Sequence, residues 1–375
     1  MHSVNSTTRG IMLTPAELRK KIPCTEPVAL SVQHSREAIK NILDRKDPRM
    51  FIVVGPCSIH DPVAGIDYAK RLRKLQDEVS DVLLLVMRVY FEKPRTTTGW
   101  KGLINDPYLD GTYQVEEGMV LARRFLLDVC KLDLTTATEA LDPISPLYLS
   151  DLVSWYAIGA RTVESQTHRE MASCLPAPVA FKNGTSGDVE TAINAIQSAA
   201  HPHTIVGINE NGRLATVDSW GNRYGHLVMR GGNSGPNYDS ISVSLAEESL
   251  KKAKLPTNIV IDCSHANSNK NPALQSIVMD DVLGQVCNGN QSIVGMMLES
   301  NLVSGHQPIP NNLSLLKYGC SVTDACMDWE VTAEIIKKAA RRLRQSPRIV
   351  AHNNYELSTV EAPRARAELH FANET

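Results

Sequence analysis

Met50-Phe51-Ile52-Val53-Val54-Gly55-Pro56-Cys57 opens on an apolar, β-prone run and breaks at a turn, and Ala64 to Val79 then follows with the spacing of an amphipathic helix. The same unit recurs along the chain. Apolar runs end near Val54, Met87, Thr138, Ala160, Phe181, Met229, Ile261 and Leu298, and most lead into a helical pattern such as Val189 to Ala200. Strands of this length pair in parallel only through a crossover, and a helix supplies it. Eight such units predict an α/β fold, a (β/α)8 TIM barrel. An open doubly wound sheet would want a GxGxxG turn after a strand, and none stands in such a place.

Three pieces fall outside the repeat. Residues 1–48 form an N-terminal extension with short helical patterns near Pro15 to Lys21 and Ser35 to Asp44, whose apolar residues need a partner surface and suggest assembly or regulation. The barrel is expected over 49–345, with an inserted two-stranded hairpin within roughly 204–225. The polar tail, 346–375, is expected to be disordered and without function.

The 375 residues are 42% hydrophobic and 21% charged, with 39 Lys and Arg against 41 Asp and Glu, which fits a globular protein and argues against a nucleic-acid binder. No run approaches the roughly 18 apolar residues of a membrane helix, and Met1 to Met12 lacks the apolar core of a signal peptide. A cytosolic location is expected; an organellar presequence is a weaker reading of this Ser- and Thr-rich start. The 8 cysteines, at irregular spacing, read as reduced thiols.

In such barrels the chemistry collects where the strands end. Here the runs are followed by Cys57, Arg88, Glu139, Arg161, Lys182, Arg230, Asp262 with His265, and Glu299. A single charge at a strand end is ordinary, because a strand must emerge into water. Arg88, Arg161, Lys182 and Arg230 at one mouth are different, since gathering cations is costly unless anions bind among them. The loop Glu92-Lys93-Pro94-Arg95-Thr96-Thr97-Thr98-Gly99 offers a second anion site, so two anionic groups are implied. Cys57, His265, Glu299 and Asp324 supply one sulfur, one nitrogen and two carboxylates, a set that suits a divalent transition ion, manganese, iron, cobalt, zinc or copper, over magnesium or calcium. His60 and Cys326 are read as neighbours of that site. A buried free thiol and a core imidazole are the plainer readings of Cys57 and His265.

These residues stand in motifs that resemble one family. Gly55-Pro56-Cys57-Ser58-Ile59-His60-Asp61-Pro62, Met87-Arg88-Val89-Tyr90-Phe91-Glu92-Lys93-Pro94-Arg95-Thr96-Thr97, Gly159-Ala160-Arg161-Thr162, Phe181-Lys182-Asn183-Gly184-Thr185, Arg230-Gly231-Gly232, Ser264-His265-Ala266-Asn267-Ser268 and Asp324-Ala325-Cys326 are similar to those of the short bacterial and fungal 3-deoxy-D-arabino-heptulosonate 7-phosphate (DAHP) synthases. The resemblance covers roughly residues 10–345. It implies condensation of phosphoenolpyruvate with erythrose 4-phosphate at the head of the shikimate route. It implies Cys57, His265, Glu299 and Asp324 as ligands of one divalent transition metal ion. Arg161, Lys182, Arg230 and the Ala160 backbone would bind phosphoenolpyruvate, aided by Arg88 and Lys93, while Arg95 and Thr96 would take the phosphate of erythrose 4-phosphate. Glu139 and Lys182 are expected to handle the proton of the attacking water, with Lys93 and Asp324 also at the reacting centre.

The resemblance further implies inhibition by an aromatic amino acid, tyrosine favoured, at a site lined by Met171, Leu175, Ile205, Gly207 and Val217. Pro176 departs from the usual serine there. A homodimer or homotetramer is expected. The competing readings are another phosphoenolpyruvate-dependent sugar-acid synthase, a metal-dependent barrel hydrolase, and a catalytically dead metabolite sensor.

Overall fold

The computed structural model describes residues 5–95 and 97–350. The strands are β1 (Met50–Gly55), β2 (Leu83–Arg88), β3 (Thr135–Glu139), β4 (Trp155–Ile158), β5 (Val179–Lys182), β6 (Thr204–Ile208), β7 (Leu214–Asp218), β8 (Gly225–Met229), β9 (Ile259–Asp262) and β10 (Ile293–Glu299). The helices are α1 (Pro15–Lys21), α2 (Glu26–Leu43), α3 (Pro62–Val79), α4 (Val115–Lys131), α5 (Ser145–Leu149), α6 (Gln166–Cys174), α7 (Glu190–Ala199), α8 (Ser240–Lys252), α9 (Gln275–Cys287) and α10 (Trp329–Leu343). Eight strands close a barrel in the order β1-β10-β9-β8-β5-β4-β3-β2, and every neighbouring pair is parallel. The remaining two, β6 and β7, pair antiparallel as the expected hairpin.

Period two explains why these strands read as continuous apolar runs. Phe51 and Val53 of β1 cluster inside the barrel with Trp155, Val228, Val260, Val294 and Met297. Ile52 and Val54 turn outward into a second cluster with Tyr68, Leu72 and Leu75 of α3. Both faces of the barrel strands are therefore buried, so their residues do not alternate apolar with polar.

The extension is built into the barrel. Ile39, Ile42 and Leu43 of α2 join the interior cluster, and the Leu43 carbonyl accepts from Asn258 Nδ2 at 3.0 Å, just ahead of β9. This closes the end of the barrel where the strands begin, opposite the expected chemistry. Helix α2 starts well before the expected Ser35, because Val28 and Val32 continue the buried face of Ile39 and Ile42 after the Thr25 cap and Pro27. At the other end of the chain, packing runs past residue 345. Ser346, Arg348 and Ile349 are buried, and Arg348 Nη1 donates to the Ile293 carbonyl at 3.0 Å. The rest of the expected disordered tail, 351–375, lies outside the described residues. Among the described residues no helix is long and apolar enough to cross a membrane.

One buried polar pair sits in the barrel interior. Trp155 Nε1 donates to His226 Nε2 at 3.0 Å, and His226 Nδ1 donates to the Tyr224 carbonyl at 3.0 Å, a pattern that only the neutral ring completes. Burial pushes the His226 pKa down to about 4, and the bond to Tyr224 only partly opposes this. The folded value lies below the unfolded one near 6.5, so the stability is fully present above about pH 6.5 and is lost as pH falls towards 4. Urea unfolding across that window should show wild type losing about 3 kcal/mol more than His226→Gln; parallel pH profiles would contradict the assignment.

Candidate active site

The strand ends carry the site. Arg88, Glu139, Lys182, Asp262 and Glu299 are the last residues of β2, β3, β5, β9 and β10. Cys57, Arg161, Arg230 and His265 stand one to three residues beyond β1, β4, β8 and β9. A cavity of about 170 Å³ is lined by Arg88, Lys93, Arg95, Arg161, Lys182 and Arg230, together with Glu139, Ala160, His265 and Asp324. Gly159 leaves room for Glu139, since a Cβ there would lie 2.2 Å from Glu139 Oε1. Thr96 lies outside the described residues.

Two of the cations are not open charges, as the sequence pattern had suggested. Arg88 is 1% exposed, and its Nη2 donates to Glu299 Oε1 at 2.9 Å while its Nε donates to the Pro56 carbonyl at 3.1 Å. The Tyr90 ring lies 3.6 Å beneath its guanidinium carbon. Lys182 Nζ donates to Asp262 Oδ2 at 2.9 Å, and both side chains are buried. Arg161, Arg230 and Arg95 have no carboxylate within ion-pair distance among the described residues.

The expected metal donors meet beside this cavity. Ligand atoms of Cys57, Glu299 and Asp324 lie within 4.8 Å of one another. His265 Nε2 is 3.9 Å from Glu299 Oε1. The other ring nitrogen, Nδ1, faces Asp262 Oδ2 at 2.9 Å and the Ser264 hydroxyl at 2.7 Å. A proton held there leaves the Nε2 lone pair free for a ligand, the usual outer support of a metal-bound histidine. Gln275 fixes the Glu299 backbone from both sides, donating to its carbonyl at 3.0 Å and accepting from its N–H at 2.9 Å.

The charges fit a cation. Burial pushes the Cys57 thiol up, reinforced by Glu299, while Lys93, whose Nζ lies 3.1 Å from the sulfur, pulls the other way. Burial also opposes ionisation of Asp324, but Lys93, His265, Lys270 and Arg88 outweigh it and hold the carboxyl below its usual range. Burial opposes ionisation of Asp262 as well, yet His265 and Lys182 hold it well below that range. A buried thiol, two carboxylates and an imidazole with one free lone pair together suit a divalent transition ion. Cys326 is fully buried next to Asp324, with its sulfur 3.6 Å from the Asp324 carbonyl; His60 is buried and outside the donor group.

Lys270 also lines the cavity, and sequence reasoning passed over it. Its signal was the continuation of Ser264-His265-Ala266-Asn267-Ser268 into Asn269-Lys270. Asp262 was noted as a strand end without its function as the anchor of both Lys182 and His265. A second cavity, about 470 Å³, lies between the turn after β3, α6 and the β6–β7 hairpin. Met171, Leu175, Ile205, Gly207 and Val217 all line it, as does Pro176.

The DAHP synthetase I family model matches residues 27–337. The chain is 50% identical over 338 residues to the Tyr-sensitive phospho-2-dehydro-3-deoxyheptonate aldolase of Escherichia coli K12, covering 90% of this chain and 95% of that protein. It is 48% identical over 336 residues to the tyrosine-inhibited enzyme of Schizosaccharomyces pombe, covering 88% and 90%. The solved phospho-2-dehydro-3-deoxyheptonate aldolase of Francisella tularensis SCHU S4 superposes with a TM-score of 0.88 at 44% identity, over 91% of this chain and 99% of that one.

Replacing Asp262 with Asn leaves Lys182 buried without its counter-charge. Chemical denaturation of Asp262→Asn should show a loss of about 3 kcal/mol, as for other buried pairs cut on one side. A loss below about 1 kcal/mol would mean that the pair does not anchor this face of the barrel.

Proposed function

The chain belongs to the DAHP synthetase I family, and from that membership we infer its reaction: phosphoenolpyruvate, D-erythrose 4-phosphate and water give DAHP and inorganic phosphate, the first step of the shikimate route to aromatic amino acids. The observation that carries the residue assignment is a cavity in which cations from the ends of several strands share the wall with His265 and Asp324, with Cys57 and Glu299 grouped around Asp324. A metal-dependent hydrolase or an inactive sensor has no counterpart among the named relatives.

Cys57, His265, Glu299 and Asp324 would hold one divalent transition ion, which when bound supplies Lewis acidity to the aldehyde oxygen. Arg161 and Arg230, uncommitted to any carboxylate among the described residues, grip the carboxylate and phosphate of phosphoenolpyruvate with the Ala160 backbone N–H. Lys182, held by Asp262, and Arg88, held by Glu299, complete that pocket as fixed cations. Lys93 lies between the Cys57 sulfur and the cavity, and Arg95 with Thr96 receives the phosphate of the aldehyde substrate.

C3 of phosphoenolpyruvate attacks the aldehyde carbon, and positive character develops at C2. Water adds at C2, with Glu139 and Lys182 on the same cavity wall to take and return its proton. The tetrahedral phosphohemiketal then collapses by C–O cleavage and releases phosphate, whose growing charge falls among the guanidiniums.

The apolar cavity by the hairpin is assigned to an aromatic amino acid, with tyrosine favoured by the names of the relatives. The ring would rest on Met171, Leu175, Ile205, Gly207 and Val217, and the Glu170 carboxylate on the same wall suits the ammonium group. A homodimer or homotetramer and a cytosolic setting complete the reading, the latter in keeping with all eight cysteines being free.

Purified protein incubated with both substrates should consume the enol absorbance and release phosphate in equal amounts, stop on complete metal removal, and slow when tyrosine is added. Turnover that survives metal removal would contradict the ligand assignment. A rate indifferent to tyrosine, phenylalanine and tryptophan would remove the regulatory one.

A further inference from the structure

Three non-glycine residues in one short turn, His265, Asn269 and Lys270, have φ of +55°, +49° and +57°. Side-chain-bearing residues disfavour this left-handed conformation and keep it where surrounding bonds impose it. Here the Lys270 N–H donates to the His265 carbonyl at 2.6 Å and the Asn269 N–H to the Ala266 carbonyl at 3.2 Å. Asn267 Nδ2 ties the turn to the barrel through the Met229 and Asp262 carbonyls at 3.1 and 2.9 Å. The turn thus fixes the base of Lys270 against the backbone of a metal-donor histidine.

Lys270 stands at a junction. With His265 and Asp324 it lines both the cation-rich cavity and a neighbouring chamber of about 180 Å³. That chamber carries hydroxyls from Thr323 and from Ser268, whose buried Oγ has no hydrogen-bond partner among the described residues. The charges of the site also leave a place for it. Arg88 is matched by Glu299, Lys182 by Asp262, and Lys93 lies on the Cys57 sulfur. Lys270, like Arg161, Arg230 and Arg95, has no carboxylate within ion-pair distance among the described residues. Phosphoenolpyruvate, with its carboxylate and phosphate, accounts for Arg161 and Arg230. Lys270 lies instead beside His265 and Asp324, the side on which the reaction inferred above would put the aldehyde oxygen.

We propose that Lys270 is a further substrate-binding residue, whose ammonium holds an oxygen of the phosphorylated aldehyde on the side of the donor group that opens to both cavities. This rests on the condensation reaction inferred above. Lys270 is exposed, so its side chain can be changed without opening the core.

Steady-state kinetics of Lys270→Met and Lys270→Arg, with metal content measured on each, tests the assignment. Lys270→Met should raise KM for erythrose 4-phosphate by about tenfold or more, leave KM for phosphoenolpyruvate within about twofold and retain wild-type metal, and Lys270→Arg should restore most of the loss. An unchanged KM for the aldehyde, an equal rise for both substrates, or loss of metal would overturn the proposal. Wild-type protein that fails to condense the two substrates would instead refute the reaction on which it rests.

Discussion

The site depends on two buried carboxylates at the ends of neighbouring strands, Asp262 on β9 and Glu299 on β10. Cations brought together at one mouth repel one another before any anion arrives, and burial removes the water that would screen them. Asp262 answers Lys182 and holds His265, while Glu299 answers Arg88 and turns towards His265, Cys57 and Asp324. Each carboxylate therefore serves the cation pocket and the donor group together. The arginines left uncommitted, Arg161 and Arg230, are those that an incoming anion can claim without breaking a buried pair.

Much of the architecture was legible because it is local. The apolar runs stop within about two residues of the observed strand ends, since the barrel strands, buried on both faces, carry no Asp, Glu, Lys or Arg before their last residue. The candidate donors could be named from their types and from the resemblance; ligand atoms of Cys57, Glu299 and Asp324 lie within 4.8 Å of one another, and His265 Nε2 is 3.9 Å from Glu299 Oε1. What the sequence concealed is pairwise and distant. Nothing near Arg88 says that Glu299, 211 residues away, neutralises it, or that Asp262 lies on Lys182 across 80 residues. The early start of α2 was hidden for another reason: Leu30 and the polar residues of its outer face dilute the stripe that Val28 and Val32 carry inward.

A short segment joins the two cavities. Glu139 ends β3 in the active-site wall, and a few residues later Pro143, Ile144, Pro146 and Leu147 wall the apolar cavity beside the hairpin. Between them the Ser145 hydroxyl donates to Glu92 Oε2 at 2.8 Å, next in sequence to Lys93 on the Cys57 sulfur. Burial lifts the Glu92 carboxyl to about 7, so this contact is held in a dry environment. The hairpin is in turn tied to the extension, where the Ala16 N–H donates to the Glu210 carbonyl at 2.9 Å. Elements outside the barrel repeat are thus bonded to the walls that the repeat provides.

In the proposed assignment Cys57, His265, Glu299 and Asp324 surround one ion beside the cation pocket. X-ray absorption at the zinc edge, on protein loaded with one equivalent of zinc, reads the donors directly. A single sulfur scatterer near about 2.3 Å with nitrogen and oxygen neighbours near about 2.0–2.2 Å, the sulfur lost in Cys57→Ser, is the predicted result. A shell without sulfur, or one unchanged in Cys57→Ser, would contradict it.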